Sequence, residues 1–340
     1  MLVIRPIQRD DLDQILDLLK EAGHGLTSLP KDPELLGRKI NLSVNSFNDQ
    51  YKWGPNGELY LFVMEDIFLG QVVGVSGLIS KIGGFQPFYF YQLKQEYFHS
   101  DSLNKDNELM SLHIHKIHSG PAEICSLYLA PQFRNAQNGR LLSLSRFLYI
   151  AEHRQHFEDE IIAEMRGQVD DTGHSPFWEA VGKKFFQIPF PEADYMMEKC
   201  KKFIEELLPD YPILIPLLPV EAQQVVAQVH PQTEPAKHIL QHEGFEQSDL
   251  VGIFEPGPVL KAQVDQIRSL QKSKRAKIEF ISEEKEDQEK IHIISTVCGK
   301  DFRACIGAIW EKENQIGVSA VIASALKLKI GDQIRYVSLK

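Results

Sequence analysis

Apolar residues Leu12, Ile15, Leu16 and Leu19 recur at three-to-four spacing, so RDDLDQILDLLKEAG predicts an amphipathic helix. Asp10 or Asp11 can cap it, and Gly23 ends it. The preceding LVIRPI predicts a short strand, and KDPELLGRKINLSVNSF predicts a second helix with Asp32 ahead of Pro33 at its start. ELYLFVMED and GQVVGVSGLISKIGG predict two strands around a turn at Phe68 to Gly70. The aromatic stretch from Phe85 to Met110 has no clear period and predicts an irregular insertion. AEICSLYLAP predicts a strand that leads through QFRNAQNGR into a long helix, and EIIAEMRGQV predicts a buried strand. DDTGHSPFWEAVGKKFF then predicts a loop and a short helix.

That short helix has an echo. Ser175-Pro176 and Glu234-Pro235 each open a helical segment, and Phe186 and Phe245 each stand ten residues after the proline. The echo predicts two related αβ units, divided as residues 1–200 and 201–340. From about Arg275 the chain turns β-branched and apolar in KIHIISTVC, FRACIGAIWE, IGVSAVIAS and DQIRYVSL, which predicts a small β-rich unit at the C-terminal end. The opposite charges of QKSKRAKIEF and SEEKEDQEK around its first strand predict a solvated hairpin edge.

Composition narrows the class. The 340 residues are 43% hydrophobic and 25% charged, the profile of a soluble globular protein. A formal net charge of −10 argues against nucleic acid and is compatible with a cationic small substrate. The opening LVIRPIQRDD carries charges where a signal peptide would be apolar, and no apolar run spans a membrane, so a cytoplasmic protein without a membrane partner is expected. Cys125, Cys200, Cys298 and Cys305 fit no zinc or disulfide framework, and reduced thiols are expected. His113, His115 and His118 in HIHKIHSG lack the further ligands of a zinc site and read as part of a polar strand, so no metal is expected.

The chemistry gathers in SLYLAPQFRNAQNGRLL. A strand enters a loop that carries Arg134, Asn138, Gly139 and Arg140 and opens a helix. Unpaired N–H groups and the helix dipole at such a start suit a pyrophosphate, and Gly139 leaves room for it at the backbone. Strand, two helices, two strands, then strand-loop-helix is a layout that resembles the GNAT acyltransferases. Their loop reads Arg/Gln-x-x-Gly-x-Gly/Ala, against Arg134-Asn-Ala-Gln137-Asn-Gly139 here, with Gln137 in place of the first glycine. VIRP, GHGLTSLP, HSGPAEICSLYLAPQFRNAQNGRLLSLSRF, AEMRGQVDDTGHSPFWEAVGKKFF and QVHPQTEPAKHILQHEGF together resemble the bacterial arginine N-succinyltransferase family.

The resemblance implies an α+β fold of tandem GNAT-like units with mixed, mostly antiparallel sheets. It implies succinyl transfer from succinyl-CoA, a co-substrate rather than a prosthetic group, to the α-amine of L-arginine, the entry step of an arginine catabolic route. It puts a proton-donating catalytic histidine at His230 and an acyl-CoA contact at Leu127. Without the resemblance, His230 reads equally as the residue before a helix, its geometry constrained by Pro231. Glu123, at the start of the strand that runs beside the thioester in GNAT enzymes, is the second candidate base. A guanidinium needs carboxylates, for which Glu164, Asp170 and Asp171 are candidates. Ser28 and Arg166 are candidates for the α-carboxylate, although Glu164 and Arg166, on one strand face, would also suit each other as an ion pair.

Two classes of function stand against each other: an enzyme, acting on arginine, ornithine or another amine, and a catalytically silent acyl-CoA sensor. The expected partners are small molecules, with room for a homo-oligomer.

Overall fold

A computed structural model describes residues 1–22, 26, 28–48, 54–84, 86–170, 172–199, 201–283, 291–312 and 315–339. Gly23, expected to end the first helix, and Cys200 lie outside them. The N-terminal elements are β1 (Leu2–Pro6), α1 (Leu12–Ala22), α2 (Pro33–Asn48), β2 (Leu59–Asp66), β3 (Gln71–Ile79), β4 (Phe88–Ser100), β5 (Lys105–Ile117), β6 (Ala122–Leu129), α3 (Ala136–Glu152) and β7 (Glu160–Glu164). Next come α4 (Lys183–Phe186), α5 (Phe190–Lys199), α6 (Lys202–Leu207), β8 (Ile213–Leu214), α7 (Val220–Val225), α8 (Glu234–His242), β9 (Glu246–Val251) and β10 (Pro258–Gln263). The last group is α9 (Arg268–Lys272), β11 (Lys274–Ser282), β12 (Ile291–Thr296), β13 (Ala304–Ala308), β14 (Trp310–Lys312), β15 (Gln315–Ser319), α10 (Ala320–Leu326) and β16 (Gln333–Ser338).

The strands form one mixed sheet in the order β14-β15-β11-β16-β12-β13-β1-β2-β3-β6-β7-β10-β9-β4-β5-β8. Only β6–β7 and β11–β15 pair in parallel among the described strands. The expected α+β, mostly antiparallel architecture with a β-rich C-terminal part is therefore present. The sheet does not break at the 200/201 division: β10, from the later range, lies on β7 of the earlier one. The C-terminal strands continue the same sheet through β13, which pairs with β1 at Ile4 and Ala304.

Helix α3 explains how the C-terminal strands are held. Every residue from Leu141 to Ile150 is buried, including Ser143, Ser145 and Arg146, because the helix is packed on all sides. Its side chains join one core with Phe62 of β2, Leu240 of α8, Ile293 of β12 and Val337 of β16. Helices α1 and α2 cover the opposite face through Ile15, Leu19, Leu36 and Ile40, which pack on Leu61, Val63 and Val75. The echoed segments part company here, since Phe186 joins a core with Trp178 and Phe254 while Phe245 packs with α3.

Several local expectations change. Asp32 caps α2 as read, accepting from the N–H groups of Glu34 and Leu35. Before α1, Asp10 makes no such bond. Asp11 instead accepts from the Gln8 N–H at 2.7 Å and takes both terminal nitrogens of Arg5 at 2.8 and 2.9 Å. The irregular insertion is a long hairpin, β4–β5, paired without interruption from Phe88–Ile117 to Ser100–Lys105. Its outer half is solvent-facing on both sides, so no apolar alternation marks it. Strand β11 is an interior strand, parallel to β15 and antiparallel to β16, so it is not the expected edge, and residues 284–290 of the acidic stretch lie outside the described residues. The stretch IGVSAVIAS is half strand and half helix: Ser319 accepts from the Ile322 N–H and starts α10.

Candidate active site

The site is built where β6 leaves its neighbours. On one side, β3 and β6 lose register between Val75 and Gly77, and Ser126 takes the left-handed backbone, φ +54°. A non-glycine residue there is a bulge signature. On the other side the β6–β7 ladder stops after Ala122–Ile161 and Glu123–Ile162. Beyond Glu123 the strands diverge, leaving the main-chain groups of β6 on that edge, at Leu127 among others, available to an extended ligand.

A cavity of about 400 Å³ opens at this divergence. Glu123 and Leu127 of β6, Glu164 at the end of β7, and Arg166 line it. Ser28 and Lys39 approach from the α1–α2 side, Asp194 and Lys201 from the α5–α6 side, and Glu255 from the turn before β10. The Ser28 Oγ lies 3.0 Å from the Ser126 Oγ, and the Lys39 ammonium donates to the Ser28 carbonyl at 2.9 Å. These contacts tie the covering loop to the bulge.

Three carboxyl groups in this one space have raised pKa values. Burial, then the Glu164 charge, pushes Glu123 up to about 8, opposed by Lys201 and Lys39. Burial raises Glu255 to about 8 with Arg166 opposing, while Asp194 and Glu164 add to the rise. Desolvation by the protein around its carboxyl raises Glu164 to about 7, opposed by Lys201, although as a residue it is the most exposed of the three. Two enclosed polar atoms, Glu255 Oε2 and Arg166 Nε, have no hydrogen-bond partner among the described residues. Unsatisfied buried groups of opposite sign at one cavity suit a ligand that carries both charges. Glycine is required where the walls meet: a Cβ at Gly252 would stand 2.6 Å from Glu164 Oε1, and one at Gly257 would stand 2.0 Å from the Met165 carbonyl.

The expected residues sort as follows. Glu123, Leu127, Ser28, Glu164 and Arg166 all line the cavity. Glu164 and Arg166 do not share a strand face, because β7 ends at Glu164, and Arg166 acts instead on Glu255. Asp170 is turned into a local loop, bonded to Thr172 and His174, and Asp171 lies outside the described residues. His230 is not among the lining side chains, but its N–H donates to the Arg166 carbonyl at 2.8 Å, and Thr233, three residues on, is in the wall. Its Nδ1 accepts from the Gln232 N–H at 3.2 Å, which assigns the proton of the neutral ring to Nε2. His113 bonds Glu96 and Ser111 on the β4–β5 hairpin, and no group of three potential ligands is placed to hold a metal among the described residues.

The expected phosphate loop stands at the start of α3. Asn135 is the N-cap, accepting from the Asn138 N–H, and the Asn138 side chain donates to the Phe133 carbonyl. The Gly139 N–H is already bonded to the Asn135 carbonyl, so the open donors of this helix start are those of Ala136 and Gln137. The space a Gly139 Cβ would enter is empty. Arg134 is exposed, donating to the Leu129 carbonyl at 2.8 Å and lying over Tyr128, and Arg140 is half-buried one turn into the helix. The sequence reading missed Glu255, Asp194, Lys39 and Lys201. Only Glu255 had a local signal, a carboxylate held between the glycines of VGIFEPGP.

Strand order, a bulged and splayed central strand, and an open helix start beyond it fit the acyltransferase class. Comparison with known proteins sharpens the class. The family described as "Arginine N-succinyltransferase beta subunit" matches residues 2–269, and its C-terminal domain family matches residues 274–338. The chain belongs to the arginine N-succinyltransferase family. It is 36% identical to the arginine N-succinyltransferase of Yersinia enterocolitica and 35% identical to that of an Escherichia coli O139:H28 strain, in each case over 100% of this chain and 98% of the relative. The solved arginine/ornithine succinyltransferase subunit AI from Pseudomonas aeruginosa superposes with a TM-score of 0.90 at 33% identity, over 100% of this chain and 99% of that one. No helix among the described residues is long and apolar enough to cross a membrane.

Proposed function

We infer that this protein transfers the succinyl group of succinyl-CoA to the α-amine of L-arginine, releasing N2-succinyl-L-arginine and CoA. The reading places it in the cytoplasm, at the entry to arginine breakdown. The observation that carries it is the cavity at the open edge of β6, which gathers Glu123, Glu164 and Glu255 with Arg166. That set matches an amino acid with a cationic side chain. Glu164 and Glu255 face the guanidinium, and Arg166 takes the α-carboxylate.

The chemistry follows from the placement. The pantetheine arm pairs with the free edge of β6, and the thioester carbonyl meets the main chain at Leu127, just past the bulge. The pyrophosphate meets the Ala136 and Gln137 N–H groups with Arg134 and Arg140 beside them. Glu123 removes the proton from the α-amine, whose own pKa lies near ~8, a close match to a carboxylate held at about 8. The amine nitrogen attacks the thioester carbon, the C–S bond breaks, the second proton of the attacking nitrogen passes to the departing thiolate, and the His230 Nε2–H stabilises that thiolate by hydrogen bonding as its charge develops. A silent sensor has no use for a carboxylate tuned to the pKa of an amine.

The test is thiol release from succinyl-CoA with L-arginine, ornithine and lysine in turn. Release with arginine is expected, and no release with any of the three would overturn the enzyme reading. Release fastest with ornithine would keep the chemistry and change the acceptor. That second reading has support in the openness of Glu164, which suits a shorter cation with a bridging water.

A further inference from the structure

Arg146 is a further cation in the cavity wall, beside Arg166, Lys39 and Lys201, and its surroundings differ from theirs. It projects from α3 and is 2% exposed. Its Nε donates to the Ser143 carbonyl at 3.0 Å and Nη2 to the Ser143 Oγ at 3.0 Å. Nη1 reaches the carbonyls of Gly77 and Cys125 at 3.4 and 3.3 Å, both long for a charged donor. Every one of these acceptors is neutral. Lys39 and Lys201 act on Glu123, and Arg166 acts on Glu255, but among the described residues no carboxylate acts on Arg146. The group that acts on it is the Cys125 thiol, which burial and Glu123 push up to about 12, so it stays neutral. Burial lowers the guanidinium to about 10, which still leaves it charged at neutral pH.

A buried cation without a counter-charge is costly, and its usual remedy is an anion supplied by a partner or ligand. The position says which anion. Nη1 touches the carbonyl of Cys125, the residue before the bulge and two before Leu127, so the guanidinium lies in the cavity wall beside the stretch of strand proposed to receive the thioester. A succinyl group carries its free carboxylate two methylenes beyond that thioester.

We propose that Arg146 binds the distal carboxylate of the succinyl group and makes the enzyme select succinyl-CoA over uncharged acyl-CoAs. The inference rests on the succinyl-transfer reading and deepens it. It separates the two ends of the cavity: carboxylates for the arginine, a guanidinium for the acyl tail. Arg146 also braces β3 against β6 through Gly77 and Cys125, and a purely bracing role would affect all acyl donors alike.

The experiment compares kcat/KM for succinyl-CoA and butyryl-CoA, which has the same chain length and no terminal carboxylate, with L-arginine as acceptor. In Arg146→Met the succinyl-to-butyryl ratio should fall roughly 10²-fold or more, the scale on which a site rejects an analogue that cannot answer its polar group. Arg146→Lys, which keeps the charge but not the fork, should retain part of the ratio. If Arg146→Met does not fold, the lysine variant and the wild type still decide: a wild type indifferent between the two donors overturns the proposal. So does a fall of both rates by the same factor in a folded variant. A wild type inactive with every acyl-CoA would instead overturn the proposed reaction.

Discussion

Replacing Glu123 with glutamine tests the raised carboxyl at the centre of the site, because it predicts a gain in stability together with a loss of activity. Glu123 is 6% exposed and its pKa in the folded protein is about 8, against an ordinary 4.5. The folded state therefore holds this proton more tightly than the unfolded chain. Between these two values the folded state binds more protons, so stability falls as pH rises through the interval. Below pH 4.5 the group contributes no penalty. From pH 6 to 9 the folded carboxyl is titrated, and about two pH units of excess proton binding at about 1.4 kcal/mol each amount to about 3 kcal/mol. Glutamine keeps the shape and carries no charge. Urea midpoints at pH 6 and pH 9 should show the wild type losing about 3 kcal/mol more than Glu123→Gln over that interval, while the contributions of Glu164 and Glu255 largely cancel. The variant should also lose ~10²-fold or more in kcat, and the rise of wild-type kcat/KM toward pH 8 should flatten. Parallel stability curves for the two proteins would refute the buried-acid assignment, whatever happened to the activity.

His230→Ala should lower kcat by ~10²–10⁴ with little change in either KM, and a loss below about threefold in steady-state assays would remove His230 from the chemical step. Arg134→Ala should raise the KM for succinyl-CoA well above any change for arginine; equal rises would place the pyrophosphate elsewhere. Asp11→Ala leaves Arg5 enclosed with Glu65 as its remaining carboxylate, so it should destabilise the protein by about 2–5 kcal/mol in chemical denaturation. A change under about 1 kcal/mol there would mean that Glu65 alone satisfies the guanidinium.

Helices α1 and α2 were legible because solvent lies on one side of them and leaves an apolar period, and strands β2 and β3 because burial on both faces leaves short continuous apolar runs. The β4–β5 arm was missed for the opposite reason: its outer half has solvent on both faces, and main-chain pairing holds it without any pattern in the side chains. Strand β11 alternates like an edge strand although it has neighbours on both sides, since burial on one face and pairing along both edges are independent conditions. Within the site, β6 and the start of α3 were readable because strand-loop-helix junctions have local rules. Glu255, Asp194, Lys39 and Lys201 come from four separate segments, and only the folded sheet brings them to one wall. Arg166 lies two residues past Glu164, where β7 has ended, so the strand period that would pair the two does not reach it.

The charges of the cavity also link substrate binding to the readiness of the base. Part of the rise at Glu123 comes from Glu164, and part of the rise at Glu255 comes from Glu164 and Asp194. A guanidinium bound between Glu164 and Glu255 neutralises the charges that produce those contributions, so it favours ionisation of Glu123. On the proposed mechanism the empty site keeps Glu123 largely protonated at neutral pH, and the substrate's cation lowers that pKa without removing the burial that dominates it. Burial acts in the same direction before and after binding, because the ligand replaces cavity water without restoring it to Glu123. The base therefore remains matched to an amine rather than falling to the range of an exposed carboxylate. An uncharged amino acid that fitted the cavity would bring the amine but not the cation. It would meet a protonated Glu123, so discrimination between acceptors is expressed in the chemical step as well as in binding.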